Sequence, residues 1–230
     1  MNTKTLLALV LTAALVGTAN ADYTFKRSFK VKDTFKFQLK GDLQVAGQST
    51  TFTADVEQKI VEVKDNGDYT EESTQTNFKL NFGGQEMPVP DSTSTTSFTA
   101  SGDIIEIKAD KVDPSSYRLA NLDSFHLPEK PVADGATWTY EAKSNDKTGA
   151  VAYKATYKVS GEEKIGTHQT VKIIVSIKES EGTDPAASEG TIWIDTTDQM
   201  PVKAEANWTN APIPGAPGPI NGKVTQTRQD

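Results

Sequence analysis

Between Phe35 and Lys40 the chain reads Phe35-Lys36-Phe37-Gln38-Leu39-Lys40, apolar at one position and polar at the next. This alternation turns one face of a strand to a core and the other to water, because successive side chains of an extended backbone point to opposite sides. The same rhythm returns at 52–56, 78–82, 138–142, 151–159, 171–177 and 202–208. Strands that are polar on one side belong to antiparallel sheets with a single solvated face. Turn signals fall between these runs at Asp65-Asn66-Gly67-Asp68, Ser101-Gly102-Asp103, Ser160-Gly161-Glu162 and Asn221-Gly222. Residues of these types tolerate the positive φ that tight hairpins require. The reading is a meander of about eleven to twelve strands, with 91–96 as an exposed loop running into a strand and the proline-rich 212–219 as a long hairpin loop.

One segment breaks the alternation. Asp113-Pro114-Ser115-Ser116-Tyr117-Arg118-Leu119-Ala120-Asn121-Leu122 offers a capping Asp and a Pro at the first helical position, which predicts a short helix. A proline-stiffened connector, Leu127-Pro128-Glu129-Lys130-Pro131-Val132, follows it. The two sides of this connector look loosely alike: Val31-Lys32-Asp33-Thr34-Phe35-Lys36-Phe37 parallels the stretch from Val132 and Asp134 to Trp138 and Tyr140. The fold expected is all-β and mostly antiparallel, a curved half-barrel with one short helix near its middle. Residues 22–230 are read as a single β domain, made of a first half at 22–112, helix and connector at 113–132, and a second half at 133–230. The halves are either duplicated or alike through the common grammar of β chains.

The N-terminus adds an address. Lys4, the apolar run from Leu6 to Val16 and then Ala19-Asn20-Ala21 have the charged start, apolar middle and small-residue cut site of a secretory signal peptide. Cleavage after Ala21 is expected to leave 22–230 in the periplasm or outside the cell. The apolar run is too short to cross a bilayer, and no transmembrane segment is expected. The formal net charge is −7, and the leader carries one Lys and no acid, so the exported chain is more negative still. Nucleic acid and anionic membranes bind clustered Lys and Arg, so neither is expected as a partner. The chain has no cysteine, which removes disulfides, thiol nucleophiles and lipid attachment at an N-terminal Cys.

From Phe125 to Trp138 the sequence Phe125-His126-Leu127-Pro128-Glu129-Lys130-Pro131-Val132-Ala133-Asp134-Gly135-Ala136-Thr137-Trp138 resembles a signature of exported bacterial proteins of unknown function. Farther on, Gly161-Glu162-Glu163-Lys164-Ile165-Gly166, Gly190-Thr191-Ile192-Trp193-Ile194-Asp195 and Pro201-Val202-Lys203-Ala204-Glu205 follow in a similar order. The stretch 125–208 is similar to families grouped with the periplasmic lipoprotein carriers of the LolA and LppX type. That resemblance implies an incomplete β-barrel around a hydrophobic cavity with helices at its mouth. This chain offers one short helix where such carriers have several.

Candidate chemistry is sparse. His126 and His168 are the only histidines, too few for a zinc site without cysteine, and no Gly-x-Ser-x-Gly elbow presents a serine. The acidic pairs Glu71-Glu72, Glu162-Glu163 and Asp195 with Asp198 lack calcium-loop spacing. No metal, no cofactor and no catalytic residue is expected, and the chain is read as not an enzyme. What remains is the aromatic set Phe35, Phe37, Trp138, Tyr140, Tyr153 and Tyr157, all expected on the concave face. These six either line a ligand cavity or form a plain core. The leading function is an exported noncatalytic binding protein that carries or senses a lipid or other hydrophobic or amphiphilic ligand in the cell envelope. The alternative is an envelope structural or adaptor protein that meets a protein partner through its loops and sheet edges.

Overall fold

A computed structural model describes residues 22–45 and 47–230; the signal peptide read at 1–21 lies outside the described residues. The first run of strands is β1 (Asp22–Tyr23), β2 (Thr34–Val45), β3 (Gln48–Val63), β4 (Tyr69–Phe82), the short β5 (Gln85–Pro88), β6 (Ser92–Phe98) and β7 (Ile104–Ala109). Helix α1 (Pro114–Leu122) follows, and then β8 (Val132–Ala133), β9 (Thr137–Ala142), β10 (Tyr153–Ile165), β11 (His168–Glu179), β12 (Ala187–Asp195), β13 (Pro201–Ala211) and β14 (Ile220–Gln229). Twelve strands form one antiparallel sheet in the order β7-β6-β4-β3-β2-β14-β13-β12-β11-β10-β9, with β5 beside β4. The sheet is curved and not closed into a barrel. β1 and β8 make a separate two-stranded ribbon. No helix among the described residues is long and apolar enough to cross a membrane.

Each half is a simple meander, and the two meet where β2 pairs with β14, from Lys36 opposite Gln229 to Gln44 opposite Asn221. The two runs of strands therefore share one continuous sheet. Alternation sets its faces. In β10, Tyr153, Ala155, Tyr157 and Val159 are buried while Lys154 and Lys158 are exposed, as the pleat demands. Packed side chains form two clusters. The larger joins β10, β11 and β12 to Phe25, Leu122 and Phe125, which lie on the concave side. The smaller gathers Phe35, Phe37, Val56, Ile60, Tyr69 and Met200.

Helix α1 starts where its capping residues place it. The Asp113 carboxylate accepts from the Ser116 N–H at 3.2 Å, and the Ser116 hydroxyl accepts from the Asp113 N–H at 3.2 Å. This reciprocal box satisfies two otherwise unpaired donors, and Pro114 has no N–H to satisfy.

Three local expectations differ from the fold. Ser160-Gly161-Glu162 is not a hairpin turn but a bulge inside β10, where the register against β11 shifts and Gly161 takes φ of 81°; bulges and turns ask for the same residues. Asn221-Gly222 lies within β14, and a Cβ at Gly222 would collide with the Asp42 carbonyl and the Leu43 backbone of β2. Its glycine answers a close approach of two strands rather than a reversal. Residues 92–98 form β6 rather than a loop, because the hydroxyls of its Ser and Thr residues pair with those of β4, as in Thr70 with Ser97 at 3.0 Å and Thr74 with Thr93 at 3.3 Å.

Candidate functional site

The concave face is filled at one end and open at the other. At the filled end the connector after α1 lies against β9 and β10, and the aromatic strand residues hold it. Trp138 Nε1 donates to the His126 carbonyl at 2.9 Å. The Tyr157 hydroxyl donates to the Ser124 carbonyl at 3.1 Å and accepts from the His126 N–H at 3.3 Å. His126 is 2% exposed and stacks on Tyr140 with ring centres 3.6 Å apart. Its Nε2 lies 2.9 Å from the Tyr153 hydroxyl and 3.0 Å from the Ser124 hydroxyl, and Nδ1 lies 3.4 Å from Asp103.

Electrostatics at this end follow from burial. Loss of water brings His126 down to about 4, with Asp103 opposing the shift and Arg27 adding to it. Burial alone would raise Asp103, but hydrogen bonds from Tyr140, Ser101 and Thr99, with His126 alongside, bring it below its ordinary value. Burial likewise raises Tyr157, and burial together with the bond to Asp103 raises Tyr140. A serine, a histidine and an aspartate are thus neighbours, but the Ser124 hydroxyl gives its proton to the Asn121 carbonyl at 2.8 Å. It caps the end of α1 and fastens the connector.

At the open end lies a cavity of about 620 Å³, walled by β4, β6 and β7 on one side and by the helix on the other. A second, mainly apolar chamber of about 210 Å³ lies between the helix end and β11, β12 and β13, with Leu39, Phe52, Ile177, Ile192 and Trp208 among its walls. Asp123, Ser124 and Phe125 border both, as do Ile192, Pro201 and Gln226 from the sheet, so the chambers adjoin between the C-terminal end of α1 and the sheet. Pro214, from the proline-rich loop between β13 and β14, also borders the larger one.

Ionisable groups line these chambers. The Asp123 side chain is exposed to the cavity yet enclosed by protein, and that loss of water pushes its carboxyl up to about 7, with Trp208 opposing. Glu71, on β4, is also raised to about 7 by burial, with Arg27 opposing. Arg27 is engaged in part: one Nη donates to the Phe125 carbonyl at 2.8 Å and the guanidinium lies 5.7 Å from the Tyr69 ring centre, while Nη1 is buried without a hydrogen-bond partner.

The six aromatics read from the sequence therefore divide. Trp138, Tyr140, Tyr153 and Tyr157 come together around the connector, where His126 and Phe125 already pack against them. Phe35 and Phe37 lie in the smaller cluster with Ile60 and Tyr69. None of the six borders either chamber. Among the polar groups that do, Arg27, Glu71 and Asp123 come from three different segments, and no local pattern marks them. Trp208 was visible as an inward strand position; nothing set it apart from other core aromatics.

His168 lies elsewhere. Its Nδ1 is 2.5 Å from Asp195 and its Nε2 is 2.8 Å from Asp230, and hydrogen bonds to Asp230 and then Asp195 raise its pKa. Among the described residues no group of three or more His, Asp or Glu could hold a metal ion.

No protein-family model matches this chain, and no curated protein sequence does. Among solved structures it is similar to one describing lipid–protein interactions in lipovitellin, with a TM-score of 0.49 and 11% identity over 88% of this chain. The chain spans about a quarter of that protein, 26% of its length. A DUF1329 family protein from Desulfovibrio piger gives a TM-score of 0.25 and 9% identity, over 85% of this chain and 84% of the other. No residue role passes from either to this chain.

Proposed function

We propose that this protein is exported and binds a hydrophobic or amphiphilic small molecule, without catalysis, in the cell envelope or outside the cell. The observation that carries this reading is the pair of adjoining chambers between the curved sheet and α1, about 620 and 210 Å³, one mixed in polarity and the other mainly apolar. A concave site with apolar walls and a few polar groups is the usual form of a small-molecule pocket. The larger chamber is mixed because β4 and β6 present Ser73, Gln75, Ser94 and Thr96 to it. Such a division suits a ligand with an aliphatic part and a polar part. The carrier resemblance of 125–208 points to the same class of ligand.

Native mass spectrometry of protein expressed from Asp22, with organic extraction before and after incubation with envelope lipids, tests the reading. The expected result is a bound lipid-like mass that Ala206→Phe, which fills the apolar chamber, removes without lowering the melting temperature. A clean unliganded mass after incubation overturns it.

A further inference from the structure

Trp208 is 7% exposed, borders the apolar chamber, and its Nε1 has no hydrogen-bond partner. A buried N–H without an acceptor is a standing penalty that native structures seldom keep without a reason. The indole is turned toward Asp123, whose carboxyl it stabilises, but the two do not reach hydrogen-bond geometry. The apolar chamber thus holds an unmet donor beside a carboxyl that borders both chambers.

We propose that the ligand's head is an uncharged hydroxyl group held between Trp208 Nε1 and the Asp123 carboxyl, with its aliphatic part in the apolar chamber. This deepens the binding function proposed above and rests on it. A hydroxyl accepts from the indole and donates to the carboxylate, so both groups are met at once. An ammonium has no lone pair for Trp208. A carboxylate or phosphate accepts from Trp208 but faces Asp123, with Glu71 in the adjoining chamber. The cations of that chamber do not reverse this choice: Arg27, with one Nη on the Phe125 carbonyl and Nη1 buried without a partner, and Lys111 both border the larger chamber and not the apolar one that Trp208 borders. Because enclosure raises Asp123 to about 7, its carboxyl is protonated in part of the molecules near neutrality. A hydroxyl, donor and acceptor together, matches both forms. The ligand class is therefore a neutral lipid alcohol, such as a monoacylglycerol or a long-chain alcohol.

The test is a set of calorimetric titrations of the purified protein at about pH 8 with monolauroylglycerol, laurylamine and laurate, which share one alkyl chain. Monolauroylglycerol is expected to bind roughly tenfold more tightly than either charged lipid, the margin of one well-made hydrogen bond. Trp208→Phe and Asp123→Leu should each erase that margin, and a thermal melt reports whether either variant is unfolded. The Asp123 side chain faces the cavity rather than the packed core, so Asp123→Leu decides the matter if Trp208→Phe does not fold. Equal affinities for all three lipids, or a margin that survives both substitutions, overturn the hydroxyl assignment and leave the ligand-binding function standing. No binding of any of the three overturns both.

Discussion

Arg118 of α1 and Glu179 at the end of β11 form a two-point ion pair, Nε to Oε1 at 2.7 Å and an Nη to Oε2 at 2.6 Å. Fork-to-fork geometry of this kind fixes orientation as well as distance. It ties the only helix among the described residues to the second half of the sheet and so sets one wall of both chambers. The Glu179 side chain is 4% exposed and also accepts from the Ala186 N–H at 2.7 Å. Arg118→Met leaves that carboxylate buried without its cation and is expected to destabilise the protein by about 3–5 kcal/mol. The double change to Met with Glu179→Leu should recover only part of this, since the Ala186 N–H then loses its acceptor. Urea denaturation of the three proteins checks both statements.

Stability should depend on pH through two opposed terms. Asp123 and Glu71 titrate near 7 in the folded chain, against ordinary values of 3.8 and 4.5. Between those limits the folded state holds protons that the unfolded state has lost, so their contribution falls as pH rises. His126, brought down from 6.5 to about 4, has the other sign: the unfolded chain takes up its proton first, and stability falls as pH drops through that window. His168, held charged by Asp230 and Asp195, contributes stability below its ordinary value that is lost as pH rises. Asp123→Asn with Glu71→Gln should shift the wild-type profile toward rising stability between about pH 4.5 and 7. Urea midpoints measured across that range check this; an unchanged slope in the double variant counts against the raised carboxyls.

Tyr157→Phe removes a hydroxyl that serves the Ser124 carbonyl and the His126 N–H together. Both are left unpaired against a buried ring, for an expected loss of about 1–3 kcal/mol. Faster amide hydrogen exchange confined to 124–127 would mark the loss as a loosened connector rather than a general one.

Gly190 sits in β12 where a Cβ would run into the Glu205 carbonyl and the Ala206 backbone of β13. Backbone cannot swing aside as a side chain can. Gly190→Ala should therefore pry the two strands apart, at about 1–3 kcal/mol, and distort the apolar chamber that Gly190 borders. Gly218→Ala, with nothing within 4 Å and no left-handed backbone, is the neutral control. Melting temperatures of the two variants separate them.

Much of the architecture was legible because it follows from local rules. Alternation at Phe35 to Lys40 and at Tyr153 to Lys158 gave strands with the correct inward residues, and Asp113-Pro114 gave the helix start. Gly161 and Gly222 were misplaced as turns because a glycine serves a bulge or a close strand crossing for the same steric reason that it serves a reversal. The Ser and Thr residues of β6 hid a strand, since neither of its faces is strongly apolar. The chambers were beyond reach for a different reason. Whether Tyr157 lines a cavity or holds a connector depends on where residues 124–127 travel, and that is settled by Arg118 meeting Glu179, 61 residues apart. Trp208 and Asp123 become neighbours only once the whole sheet has curled.

The pairing of β2 with β14 places the earliest and the latest long strands of the sheet side by side at its middle. A ribosome makes β2 first, and β14 emerges only about 175 residues later. Until then the edges of β2 and β13 that β14 covers are bare, with backbone donors and acceptors that invite pairing with other chains. Contacts so distant in sequence also slow the search for the native state. The middle of the sheet can form only once the whole length of both halves is available.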